Sequence, residues 1–341
     1  MTYTITLTTH DNTQLDFPCE PQQTVQDAAE AAGFFLPALC KAGSCGSCLG
    51  RCNKGHYHLD SFSPSLLPEN HEQHGDILLC RTFADSDLHI NVPYNADKIQ
   101  SQHQQARDAE IVSIEHIAAR TVRLVLQLLP DAQNSLAFEF ECGQFVELEV
   151  ADLNLKRAYS IANTPNWDGR LEFLIRLQPN GQFSTYLQST AKAGQHLQVS
   201  AAAGTFGIQT QSLAPRCFIA GGTGLAPFLS MLKRMAEWGE NHPTQLFVGV
   251  NNEQEIFCQQ ELITLAQMIP QLQISICVWQ ASDNWTGFRG TPTDALRDYL
   301  RNTPVLPDIF LCGPPLLIET ANQVALEAGI DAERIFCERF A

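Results

Sequence analysis

Three cysteines fall within one short run, Cys40-Lys41-Ala42-Gly43-Ser44-Cys45-Gly46-Ser47-Cys48, and Cys80 follows after 31 further residues. Thiolates are soft ligands for iron, and C-x4-C-x2-C…C is the plant-type spacing for a [2Fe–2S] cluster. A loop that wraps an inorganic core must bring its backbone close and aim N–H groups at the sulfurs. Gly43 and Gly46 suit that task because they can take positive φ. Cys80 lies in the apolar run Ile77-Leu78-Leu79-Cys80-Arg81, which predicts a strand that carries in the fourth ligand. The plainer alternatives are a zinc site or scattered buried cysteines. Zinc knuckles favour paired C-x2-C units, and only Cys45 and Cys48 form one here.

Other residues suggest nucleotides. Arg157-Ala158-Tyr159-Ser160 reads as a strand, with Arg157 and Tyr159 on one face. An arginine forks onto phosphate, and a tyrosine ring covers a flat heterocycle. Asn180-Gly181-Gln182-Phe183-Ser184 leads into a helix, whose N-terminus offers N–H groups and a dipole to a pyrophosphate. Together they suggest a flavin nucleotide, although Arg-x-Tyr-Ser alone would suit any surface strand. Gly221-Gly222-Thr223-Gly224 joins a strand to a helix, where a second phosphate can be cradled. It is not the G-x-G-x-x-G fingerprint, and a tight connection alone would also explain it. Cys312-Gly313-Pro314-Pro315 ends another strand at the same edge, so Cys312 is either beside the nucleotide or a small buried hydrophobe. After the second strand, Asn251-Asn252-Glu253-Gln254-Glu255 carries two carboxylates and no base. That favours NADH over NADPH, whose 2′-phosphate would want a cation.

Three modules must position these groups. Residues 1–99 hold the cluster motif, with a helix predicted over Val25–Ala32, capped by Thr24 and ended by Gly33. Residues 60–75 read as loop or short helix, and Leu88–Val92 as a strand. A polar linker over 101–106 precedes residues 106–209, whose short strands over 110–117, 121–128, 145–150, 157–162, 171–177 and 196–200 predict an antiparallel barrel with one helix, 183–190. Over 210–341 strands alternate with helices, which predicts a doubly wound parallel α/β sheet.

Composition narrows the function. The 341 residues are 44% hydrophobic, as in a globular chain, and no apolar run is long enough to span a bilayer. The N-terminus alternates like a strand and lacks the basic segment of a signal peptide. Twelve cysteines, four of them in the motif, suit a reducing compartment, so a cytoplasmic location is expected. The formal charge of −16 argues against nucleic acid or an anionic membrane as partner. Residues 1–99 carry 12 acidic and 5 basic side chains, the remainder 25 and 16, so the first module is the denser in negative charge. Docking to a basic protein surface is compatible with this, and so is plain solubility.

With these residues in place, the chain resembles the ferredoxin–NADH reductases that serve bacterial oxygenases, over nearly its whole length. The likeness rests on the cysteine motif, Arg157–Ser160, Gly221-Gly222-Thr223-Gly224-Leu225-Ala226-Pro227, Cys312–Pro315 and the ending Phe336-Cys337-Glu338-Arg339-Phe340. Leu78–Thr82, Gly169–Arg176, Pro215-Arg216 and Asp294–Arg297 look most like the branch serving soluble methane monooxygenase, and so one-carbon metabolism. Reductases of aromatic-ring dioxygenases and of phenol or toluene hydroxylases share the same order.

The resemblance implies a β-grasp [2Fe–2S] ferredoxin module, an FAD barrel and an NADH module. Cys40, Cys45, Cys48 and Cys80 would hold the cluster. Arg157, Tyr159 and Ser160 would hold FAD, with Ser160 near the reactive flavin nitrogen. Gly181, Gln182, Phe183 and Ser184 would meet its pyrophosphate. Gly222, Thr223 and Gly224 would meet NADH, with Cys312 near the nicotinamide, and Phe340 would cover the flavin. Ser160 and Cys312 would be the catalytic pair. Ala42 departs from an acidic residue common in relatives, and Ala202-Ala203-Gly204 from a Gly-Pro-x-Gly run. The implied electron order is NADH, FAD, cluster, then an oxygenase hydroxylase component. A sodium-pumping quinone reductase subunit shares the modules but requires a membrane helix. A cluster-bearing redox sensor would not need the nucleotide motifs.

Overall fold

The computed structural model describes residues 2–38, 41, 43, 46–63, 66–67, 71–99, 106–208 and 212–339. Cys40, Cys45 and Phe340 lie outside the described residues. The chain divides into two units, in the main residues 1–105 and 106–340.

The first unit runs β1 (Tyr3–Thr8), β2 (Gln14–Cys19), α1 (Val25–Ala31), β3 (Leu49–Lys54), β4 (Tyr57–Leu59), α2 (His71–His74), β5 (Asp76–Leu78), β6 (Thr82–Ala84) and β7 (Leu88–Asn91). Five strands form a mixed sheet in the order β2-β1-β7-β3-β5, and β4 pairs with β6 as a separate ribbon. Helix α1 starts where predicted, with Thr24 Oγ1 accepting the Asp27 N–H at 3.1 Å. Its Val25, Ala28 and Ala29 pack onto Ile5, Leu7, Leu88 and Ile90 of the sheet. A helix laid across a mixed sheet in this way is the β-grasp arrangement. Cys80 departs from its predicted strand. Strand β5 stops at Leu78, and Cys80 sits in a single 3-10 turn over Leu79–Arg81. The tight turn leaves Leu79 and Cys80 both buried.

The second unit begins with β8 (Arg107–Ala118), β9 (Thr121–Leu128), β10 (Phe145–Val150), β11 (Leu155–Ser160), β12 (Arg170–Arg176), α3 (Gln182–Ser189) and β13 (His196–Val199). The six strands are antiparallel in the order β11-β10-β13-β8-β9-β12. The two ends of that order meet through an Ile161–Phe173 bridge and an Ala162 N–H to Glu172 carbonyl bond of 2.8 Å. The sheet thus curls into the predicted barrel around Ile111, Leu124, Val146, Phe173 and Val199.

Then follow β14 (Arg216–Gly221), α4 (Leu225–Glu237), β15 (Thr244–Val250), α5 (Gln259–Met268), β16 (Leu272–Val278), β17 (Phe288–Arg289), α6 (Pro292–Asn302), β18 (Asp308–Gly313), α7 (Pro315–Glu327) and β19 (Ile335–Arg339). All pairs are parallel, in the order β17-β16-β15-β14-β18-β19. Successive residues face opposite sides. Phe218 and Phe310 pack with α4 and α5 residues Phe228, Leu232, Leu262 and Leu265, whereas Ile219 and Ile309 pack with Leu296 and Ile318 of α6 and α7. The chain steps outward from β14 through β17 and then returns to β18 on its other side. The crevice above β14 and β18 is therefore the switch point where such sheets bind ligands.

Barrel and parallel sheet share a core within this unit: Cys142, Ala162 and Leu174 belong to the cluster containing Phe228 and Leu229. Lys233 on α4 donates to the Ala162 carbonyl at 3.1 Å and pairs with Glu261 at 2.9 Å, and Glu261 also pairs with Arg123 of β9. Ser230 donates to the Asn163 carbonyl at 2.7 Å. No helix among the described residues is long and apolar enough to cross a membrane.

Candidate functional site

In the first unit the Sγ atoms of Cys48 and Cys80 stand 3.2 Å apart, both almost fully buried. Cys48 precedes β3 directly, and the Leu79 N–H donates to its carbonyl at 2.9 Å, which ties the two ligand-bearing segments together. Gly43 has φ +69°, and a Cβ there would stand 2.8 Å from Phe62 Cβ and 2.9 Å from Arg81 Cγ. Only glycine fits at that position. Two converging buried thiols with a pinched glycine loop beside them fit a cysteine-held [2Fe–2S] cluster. Cys40 and Cys45 lie outside the described residues.

On the barrel, Ser160 ends β11 and is buried, while Tyr159 beside it is half-buried with its ring 5.2 Å from that of Phe183. Arg157 is exposed, and its Nη1 donates to the Lys156 carbonyl at 2.6 Å. Gly181 is the N-cap of α3, and no side chain caps that end. The first-turn N–H groups of Gln182, Phe183 and Ser184 therefore remain available to an anion. The side chains of Phe183 and Ser184 turn inward instead: Phe183 packs in the barrel core, and Ser184 Oγ accepts the Gln178 N–H at 2.8 Å. Among these positions, backbone from α3 and side chains from β11 are what could hold FAD.

Gly222, Thr223 and Gly224 form a 3-10 turn between β14 and α4, again with no side-chain cap. A Cβ on Gly224 would lie 2.2 Å from the Cys312 carbonyl oxygen, so glycine lets β14 and β18 close at the switch point. Cys312 itself is fully buried, and burial pushes its thiol well above the usual range. It is a neutral neighbour and not a thiolate. Opposite it in the β18–β19 register stands Glu338. The Ser160 hydroxyl donates to Glu338 Oε2 at 3.1 Å. Burial pushes the Glu338 carboxyl up to about 8, with the Ser160 bond opposing the shift. Ser160, Cys312 and Glu338 thus come together from three distant stretches. Burial therefore favours the protonated form of Glu338 beside Ser160, where a proton donor or acceptor could serve a site that handles hydride.

A cleft beside the glycine turn is lined by Arg120, Thr121, Arg176, Gly222, Thr223 and Glu255, among others. Glu255 is only 9% exposed and accepts from Asn251 Nδ2 at 2.9 Å. Its carboxylate lies 4.0 Å from Arg120 Nη1 and 3.8 Å from Arg176 Nη2. Of the two carboxylates that the sequence sets at this strand end, one is thus turned away from solvent. Glu255 faces inward and braces two arginines contributed by the barrel, where a diphosphate would need them. Only Glu253 stays outward, where its carboxyl accepts the Ser282 N–H at 2.7 Å and is held below the usual carboxylate range chiefly by Ser282.

Arg120, Arg176 and Glu338 were given no role from sequence, and Glu255 was named only as one of two carboxylates. The one available signal was a charged residue ending an apolar strand, as Arg176 ends β12.

Three family models match the chain in succession: a 2Fe-2S iron-sulfur cluster binding domain over residues 8–85, an oxidoreductase FAD-binding domain over 108–208, and an oxidoreductase NAD-binding domain over 218–323. The methane monooxygenase component C of Methylosinus trichosporium is 39% identical over 81% of this chain and 81% of its own length. The toluate 1,2-dioxygenase electron transfer component of Pseudomonas putida is 34% identical over 94% and 93%. Among solved structures, an Amycolatopsis cytochrome P450 reductase matches with a TM-score of 0.74 at 26% identity, covering 98% of both chains. With cluster, flavin and nicotinamide modules in this order, the chain belongs to the family of NADH-dependent iron–sulfur flavoprotein reductases that includes the electron-transfer components of bacterial oxygenases.

Proposed function

We propose that this reductase delivers its electrons to the hydroxylase component of a soluble methane monooxygenase. The observation that carries this is the 39% identity to the Methylosinus component C over four-fifths of both chains. FAD, when bound, accepts hydride as an electron pair and releases single electrons, which is what a one-electron [2Fe–2S] cluster requires. The protein's part is to hold and orient. Cys40, Cys45, Cys48 and Cys80 ligate the cluster within residues 1–99. Arg157, Tyr159 and Ser160, with the α3 N-terminus at Gly181, Gln182, Phe183 and Ser184, hold FAD within 106–209. Gly222, Thr223 and Gly224 meet the NADH diphosphate within 210–341, helped by Arg120 and Arg176. Ser160 and Cys312 flank the reacting rings, Glu338 keeps a proton there, and Phe340 covers the flavin. The geometry supporting this reading is the Ser160–Glu338 bond at 3.1 Å above the β14–β18 crevice.

The chain works in the cytoplasm, with a protein partner and without nucleic acid or membrane; its −16 charge is consistent with this. Titrating the NADH-reduced protein against purified hydroxylases tests the assignment. Stoichiometric reduction of a methane monooxygenase hydroxylase, with aromatic-ring dioxygenase and phenol hydroxylase components left oxidised, is the expected result. Reduction of an aromatic oxygenase component alone would reassign the partner.

A further inference from the structure

The stretch after β15 carries two carboxylates and no base, yet the fold brings a base to it. Strand β17 pairs in parallel with β16, Arg289 opposite Val278, so Arg289 stands at the carboxyl edge shared by β15 and β16. That edge is where ligands of such sheets bind. The chains leaving β15 and β16 run side by side there. Trp279 N–H donates to the Val250 carbonyl at 3.1 Å, and Gln280 N–H to the Asn251 carbonyl at 2.8 Å. Glu253 follows in a 3-10 turn, and its Oε1 accepts the Ser282 N–H at 2.7 Å. Arg289 clasps the same segment one residue on: its Nη2 donates to the carbonyls of Asp283 and Trp285, both at 2.9 Å. The segment is tightly folded. Trp285 Nε1 donates to the Phe288 carbonyl at 3.1 Å, and a Cβ on Gly287 would stand 2.5 Å from the Trp285 ring. Arg289 is exposed, and among the described residues no carboxylate closes an ion pair with it. Its charge still reaches Glu253, whose carboxyl is held below the usual range chiefly by Ser282 and to a smaller degree by Arg289.

We propose that Arg289 is a latent 2′-phosphate cation neutralised by Glu253, so that the preference for NADH is a block exerted by one carboxylate and not the lack of a base. The inference rests on NADH lying along this edge with its diphosphate at the Gly222–Gly224 turn. From there the adenosine ribose reaches the end of the neighbouring strand, β15. A ribose 2′-hydroxyl donates to a carboxylate, whereas a 2′-phosphate is repelled by it. Selectivity is then set by a repulsive element. With that element removed, the guanidinium of Arg289 is free to fork onto the phosphate.

In the fully loaded, full-length protein, Glu253→Gln keeps the shape of the side chain and introduces no base. The NADPH-to-NADH ratio of kcat/KM, read by ferricyanide reduction, should rise roughly fivefold. In calorimetry, adenosine 2′,5′-bisphosphate should gain on 5′-AMP by a similar factor. Adding Arg289→Ala should cancel both gains, and adding Arg289→Lys, which keeps the charge, should retain part of them. No gain in E253Q overturns the proposal. A gain that survives R289A also overturns it, because Arg289 then has no part in the gain. Equal loss with R289A and R289K overturns it too, because Arg289 is then only an anchor of the 282–285 segment. Failure of the underlying placement looks different. If the ribose lies at this edge, E253Q raises KM for NADH even where NADPH gains nothing; if it lies elsewhere, KM for NADH and the affinity for 5′-AMP stay at the parent values in every variant.

Discussion

The cluster end and the nucleotide end are built on opposite plans. Cys48 and Cys80 reach one another through short segments tied by the β3–β5 pairing and the Leu79–Cys48 backbone bond, with a pinched glycine nearby. Nearly everything is written in local spacing. At the nucleotide end Ser160, Cys312 and Glu338 converge from strands β11, β18 and β19, and Glu255 gathers Arg120 and Arg176 from the barrel. The first plan tolerates little change at the ligands and much elsewhere. The second shares its function over many charged and polar groups, so single losses should be graded.

The variants that test this contrast fall in order of effect. Cys80→Ser should remove the visible iron–sulfur absorption and all reduction of a one-electron protein acceptor, while NADH still bleaches the flavin in stopped flow. Delivery to that acceptor at the parent rate would break the contrast outright. Arg176→Ala removes one charge-assisted contact worth about 2 kcal/mol, so kcat/KM for NADH should fall roughly thirtyfold; steady-state ferricyanide reduction reads this. Glu253→Arg replaces the outward carboxylate with a base, and the NADPH-to-NADH ratio of kcat/KM should rise on the order of tenfold. The last effect is on stability and not on turnover. Glu338 binds its proton more tightly folded, at about 8, than in the unfolded chain, near 4.5. The folded state therefore holds the extra proton between these values. Its contribution to stability is full below pH 4.5 and is lost as pH rises through about 8, with a slope of at most about 1.4 kcal/mol per pH unit. Denaturant titrations of Glu338→Gln should lack that decline.

The same contrast explains what the sequence could reveal. Thr24, Gly33 and the cysteine spacing act over a few residues, and α1 and the presence of a [2Fe–2S] module were legible from them. The strand–helix alternation after Arg216 was legible because the central strands β14 and β18 are apolar along most of their length, as in a sheet covered on both faces. Cys80 was placed in a strand because an apolar run does not distinguish a strand from a strand followed by a buried 3-10 turn. Strand β17 has two residues, Phe288 and Arg289, too few to carry a period. Glu338 entered the sequence reading only as part of the C-terminal motif, and in the fold it is a buried acid in register with Cys312. Glu255 figured there only as one of two carboxylates after the second strand, because the cations beside it come from residues 120 and 176.

The stitching of α4 onto the barrel through Ser230, Lys233 and Glu261 bears on how such proteins can be rebuilt. A cut between the flavin and nicotinamide modules would strip cover from Ala162 and Leu174 and leave Lys233 without its carbonyl acceptor. Chimaeras that exchange cofactor preference should therefore transplant residues 106–339 as one cassette, or carry α4 along with the barrel it grips.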